Sequence, residues 1–107
     1  MTHANGRLLK IFIGESEMYK HEALYHAIIK KLKENGMAGA TTIRGVEGFG
    51  AHNIKHKKAI DVLSGDLPIL IEVIDSPEKI DEIIDIVKPM VKEGLMAIIN
   101  GVEIVKK

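Results

Sequence analysis

At 107 residues the chain is long enough for one compact domain and short for two, and its 46% apolar content, drawn mainly from Ile, Val, Leu and Met, can fill a core with only four aromatic side chains and no Trp. The absence of Cys excludes disulfides, thiolate catalysis and thiolate metal sites. Fifteen basic and fifteen acidic side chains cancel, so no global field steers the protein toward nucleic acid or an anionic membrane.

Residues 7–13, Arg-Leu-Leu-Lys-Ile-Phe-Ile, read as a first strand ended by Gly14. Helical spacing follows over about 21–35, where Leu24, Ala27, Ile28, Lys31 and Leu32 share one side; Lys31 fits if its stem lies on apolar surface and its ammonium reaches water. Gly36 supplies a left-handed stop. A second strand is expected over 40–46, with Gly45 marking a bulge or a close backbone approach. A flexible loop follows over about 51–66, carrying His52, Lys55, His56, Lys57 and Lys58, and 57–63 is compatible with a short helix. Residues 67–74 return as a third strand with Pro68 at its start, where a missing amide donor matters least.

The next helix has the clearest boundary. Ser76 suits the N-cap, Pro77 the first helical position and Glu78 the positive end of the dipole. Ile80, Ile83, Ile84, Val87 and Met90 or Val91 form its apolar side, Pro89 bends or ends it, and Gly94 closes the unit. Residues 95–99 form a fourth strand, which 102–105 extend or follow as a short added strand after Asn100-Gly101.

This order predicts an α+β, ferredoxin-like βαββαβ sandwich, one domain over 1–107, with two helices on one face of an antiparallel sheet. The first and third strands are nearly continuous apolar runs, which implies burial on both faces. Helices cover one face, so another copy of the chain is the expected cover for the second. No run approaches the roughly 20 apolar residues that span a bilayer, and Met1-Thr2-His3-Ala4-Asn5-Gly6 lacks a signal-peptide core. The expectation is a cytoplasmic protein without membrane insertion.

Ile11-Phe12-Ile13-Gly14-Glu15, Leu24-Tyr25-His26-Ala27-Ile28 and Gly39-Ala40-Thr41-Thr42-Ile43-Arg44-Gly45-Val46-Glu47-Gly48-Phe49-Gly50-Ala51-His52 form one pattern, continued by Asp66-Leu67-Pro68 and Val91-Lys92-Glu93-Gly94-Leu95. The pattern resembles the family catalogued as domain of unknown function 190, which is similar to the PII nitrogen-regulatory proteins. The resemblance covers about residues 7–105. It implies a ferredoxin-like protomer in a homotrimer whose sheets line the centre. Adenine nucleotides (ADP, AMP or ATP) would bind as effectors in clefts between subunits, and a mobile loop after the second strand would signal to a protein partner. By position, the resemblance implies Thr42 near the base, Gly48-Phe49-Gly50 opening the loop, Gly94 near the phosphate turn, and Lys106 and Lys107 near basic carboxyl-terminal residues. The chain departs from the PII pattern at that turn: Gly-Asp-Gly-Lys is replaced by Lys92-Glu93-Gly94-Leu95, and the loop has no Tyr.

Read from the residues alone, Arg44, Gly48, Gly50, Lys55, Lys57 and Lys58 can form an anion site, with glycine amides close to phosphate oxygens and cationic heads around them. The competing reading has the glycines making turns and the lysines keeping a loop soluble. His52 and His56, four apart, could give two metal ligands on one helical turn; His21 and His26, five apart on the first helix, diverge. Glu15, Glu17 and Glu47 come with no arrangement of acid, nucleophile and oxyanion donor, so no catalytic residue is assigned and an enzyme is not expected. Nucleic acid is disfavoured because Phe49 is the sole aromatic beside the basic patch. The leading reading is a PII-like regulatory trimer that binds a small anionic effector and needs no obligatory cofactor. The alternatives are a metal- or small-molecule-binding enzyme using the loop histidines, and a structural trimeric scaffold.

Overall fold

In a computed structural model that describes residues 1–50 and 66–107, β1 (Thr2–Gly14) runs through the middle of a four-stranded antiparallel sheet. The other members are β4 (Ala40–Arg44), β5 (Pro68–Asp75) and β6 (Leu95–Lys106), in the order β4-β5-β1-β6. Helices α1 (Leu24–Glu34) and α2 (Pro77–Val87) complete the expected ferredoxin-like order.

Side-chain alternation along β1 decides what lies where. Leu9, Ile11 and Ile13 are fully buried beneath the helices, as are Ile71 and Val73 of β5, with Ile69 almost so. Leu24, Ala27, Ile28 and Leu32 of α1 and Ile80, Ile83 and Val87 of α2 meet them, each buried side chain contributing about 1.5–3 kcal/mol. Lys31 keeps to the margin of its stripe and points its ammonium toward Glu34, 3.7 Å away. The apolar stripes read from the sequence are therefore the ones buried.

Local boundaries follow local chemistry. Ser76 Oγ accepts the Lys79 amide at 3.2 Å, and Pro77 opens α2. Gly36, at φ 71°, ends α1, with its amide donating to Lys33 O and that of Met37 to Leu32 O. This is a Schellman closure, in which a left-handed glycine satisfies the last carbonyls of the helix. Pro89 sits in a 3₁₀ turn, Lys88–Met90, beyond the end of α2.

Three boundaries differ from the sequence reading, and one choice it left open is decided. First, α1 begins at Leu24 instead of near His21, because Lys20 and His21 take positive φ (46° and 72°) in the turn between β2 (Met18–Tyr19) and β3 (Glu22–Ala23). His21 therefore does not share a helix with His26. Second, β1 starts at Thr2: its polar first residues lack a strand-like pattern but pair with β6 as far as Thr2↔Lys106. Third, β4 stops at Arg44: the Gly45 amide still donates to Pro68 O at 2.7 Å in the same register, but Pro68 has no N–H to return, and Val46 beyond it is 95% exposed. Of the two alternatives for residues 102–105, extension holds: β6 is a single strand over Leu95–Lys106. Gly101, at φ 73°, is the extra residue of a bulge opposite the Gly6/Arg7 step. Among the described residues no helix is long and apolar enough to cross a membrane.

Replacing Ser76 by Ala should lower stability by about 1 kcal/mol through loss of the cap. Gly94→Ala should cost more, at least about 2 kcal/mol, because Gly94 has φ 141° and a Cβ there would stand 2.4 Å from Phe12 O. Gly39→Ala, which meets nothing within 4 Å, should be close to neutral. Urea titration of the three variants checks the ranking, and a Gly94→Ala variant as stable as wild type would contradict the β1–β6 approach.

Candidate functional site

The chain leaving β4 folds back over the start of β5. Gly45 and Gly48 both face Pro68, and a Cβ on either would stand 2.8 Å and 3.1 Å from its ring carbon Cγ. Two of the glycines thus let the backbone lie against a proline ring, which is the turn-forming role weighed for them in the sequence. The result is a cavity of about 510 Å³ between the strand ends, with Ile43, Leu70, Phe12 and Leu95 as a wall and Gly48, Phe49 and Gly50 along its rim. Gly94 closes the far side, brought there by its contact with the end of β1.

The lining is mostly apolar, and Glu47 is its one charged residue among those described. Phe49 is 94% exposed and Leu95 60% exposed, so the cavity is a groove with an open flank. Such a surface suits a flat apolar or aromatic group. It offers no cation among the described residues to a phosphate lodged at its centre.

The structure brings Gly48, Phe49, Gly50 and Gly94 together and separates the other expected site residues. Thr42 is in register with Ile71, on the helix side of the sheet, whereas its neighbour Ile43 is in register with Leu70 and faces the groove. Alternation along a strand forces that opposition. Arg44 is also on the Thr42 side, and its guanidinium Nη2 lies 2.6 Å from Glu15 Oε2. Lys106 pairs with Thr2, ~36 Å along β6 from Leu95 at about 3.3 Å per residue, so it cannot reach the groove of its own chain. His52 and His56, the lysines of the basic patch and the proposed helix over 57–63 lie outside the described residues. Among the described residues no three His, Asp or Glu stand close enough together to hold a metal.

The residues just after β1 hold both flanks of the groove's margin. Besides the Arg44 pair, the Glu15 amide donates to Leu67 O at 2.8 Å. Ser16 donates to Asp66 Oδ1 twice, from its amide at 3.2 Å and its hydroxyl at 2.8 Å. Sequence reading left Glu15 without a partner because nothing local connects it to Arg44. Phe12, Ile43, Leu70 and Leu95 were missed as groove residues for a related reason. Their outward alternation is legible, but that they line one cavity depends on pairing between distant strands.

The comparisons with known proteins agree with this architecture. A UPF0166 protein of Aquifex aeolicus is 33% identical over 82 residues, 77% of this chain and 78% of its own length. A UPF0166 protein of Methanocaldococcus jannaschii is 30% identical over 102 residues, 94% and 92% of the two chains. The fold is shared with CPII of Thiomonas intermedia K12, a nitrogen regulatory PII-like protein solved with ADP, AMP and bicarbonate, at TM-score 0.70, 13% identity and 99% coverage of both chains. The sequence pattern of DUF190, described as Uncharacterized ACR, matches residues 6–104, nearly the whole length, and the chain belongs to that family.

Proposed function

We propose that this protein is a PII-like regulatory trimer that binds an adenine nucleotide in clefts between neighbouring copies. The observation that carries the reading is the open apolar groove edged by Gly48, Phe49 and Gly50 and closed by Gly94. Its size and lining suit a purine ring, and its exposed flank, with Phe49 in solvent, calls for a second surface to complete it. The fold shared with CPII, which holds ADP and AMP, supports the same ligand class.

In this reading the groove receives the base and the charge for the phosphates comes from elsewhere. Leu95 occupies the place of the usual lysine after the turn glycine. The remaining sources are a neighbouring copy's carboxyl-terminal strand, where Lys106 lies, Arg44 after exchange of its Glu15 partner, and the lysines of 51–66. Thr42, on the opposite side of β4 from the groove, would contact a nucleotide only from a cleft that wraps around the strand edge. Signalling follows from position. Gly50 leads into the 51–66 segment and Asp66 and Leu67 lead out of it, so a ligand touching the glycine rim biases the conformations that segment presents to a protein partner.

Calorimetry with ATP, ADP, AMP and cyclic AMP should give saturable binding for at least one of them, and no heat from any would defeat the nucleotide reading. Phe49→Ala should weaken the preferred nucleotide by about tenfold to a hundredfold, the loss expected when one aromatic–base contact is removed. The same titration checks it, and unchanged affinity would remove Phe49 from the site.

A further inference from the structure

The face of the sheet away from the helices has an unusual make-up for a surface that meets water. Half-exposed antiparallel sheets place polar residues outward at alternate positions. Here the outward positions of the two central strands are Leu8, Lys10 and Phe12 in β1 and Leu70, Glu72 and Ile74 in β5. The apolar character continues on the outer strands, where Ile43 is 45% exposed and Leu95 and Ile99 are 60% and 46% exposed. The apolar runs of the sequence are thus interrupted at one place in each strand, and the two interruptions are cross-strand partners: Lys10 is in register with Glu72, with Nζ 3.5 Å from Oε2.

We infer that the Lys10–Glu72 pair is a buried contact in the interface between copies of this chain. The argument for a second copy as occupant is charge complementarity. The face presents one cation and one anion side by side inside an apolar surround; their single 3.5 Å contact fills only part of the hydrogen-bonding capacity of an ammonium and a carboxylate, and a partner offering both signs fills the rest. The same face of another copy carries both. Within the single chain the two side chains are already 30% and 33% exposed, so a covering surface removes the water that remains to them. An apolar peptide would leave that remaining capacity unmet, and a surface of uniform charge would repel one member of the pair.

The inference rests on the self-association proposed above, and its test separates the two. Removing one member of a covered ion pair leaves an uncompensated buried charge, whereas replacing both with apolar side chains of similar size is neutral or favourable; at a solvated surface pair neither change matters much. Sedimentation equilibrium of wild type, Lys10→Met, Glu72→Met and the double variant reads this directly. The expected result is an assembled wild type, each single variant weakened by roughly a hundredfold or more, and a double variant that assembles at least as tightly as wild type. An assembled wild type whose single variants assemble equally well overturns the role of the pair and leaves self-association standing. A monomeric wild type at micromolar concentration overturns both. Should either single variant fail to fold, Lys10→Gln or Glu72→Gln, which removes one charge and keeps a polar side chain of similar length, takes its place: weakened assembly supports the inference and unchanged assembly overturns it.

Discussion

The structure depends on one constraint, that the central strand β1 is apolar on both faces while the described helices, α1 and α2, cover only one. Leu9, Ile11 and Ile13 supply the helix side and are fully excluded from water. Leu8 and Phe12, on the other side, remain half-buried at best. The two central strands, β1 and β5, satisfy their backbone within one chain because each has a neighbour on each side, while β4 and β6 are edges. Among the described residues nothing covers the second apolar face of these strands.

The groove is a by-product of the same geometry. Phe12, Leu70 and Ile43 contribute to its wall from positions that alternation assigns to the open face, and the wall ends where β4 stops at Arg44. Two small steric facts keep it hollow. Gly94 admits the close approach of β6 to the end of β1, and Gly45 and Gly48 admit the approach of the post-β4 chain to Pro68. A larger side chain at Gly94 would force the strands apart, and at the other two would push the rim off its floor. The glycines that mark this region as a candidate ligand site therefore act first as packing residues, and the cavity is what their packing leaves between the strand ends.

Electrostatics divide the region in a way that composition does not reveal. Arg44, the one described cation next to the glycine run, faces Glu15 across the strand edge from the groove, while Glu47 lines the groove itself. An anionic ligand lying wholly within the groove would meet an acidic residue and no described base. Charge matching thus favours a ligand with an apolar body inside and its charge outside, near residues from other strand ends or other copies.

The caps and the buried stripes were legible in the amino-acid sequence because they follow from contacts a few residues apart. Ser76-Pro77 starts α2, Gly36 stops α1, and the 3.6-residue spacing of Leu24, Ala27, Ile28 and Leu32 names the buried side. Local pattern misled where a pairing partner was distant. Thr2 to Asn5 became strand through β6, and His21 left the helix for a hairpin turn. The sequence alone thus determined which residues are apolar, which helices form and the order of the elements. Only the tertiary structure decided that Thr42 and Lys106 stand apart from Gly48, Phe49, Gly50 and Gly94, that Arg44 is held by Glu15, and that Lys10 meets Glu72. Register between strands separated by tens of residues is set by the summed packing of the whole sheet, and no short stretch of sequence carries that information.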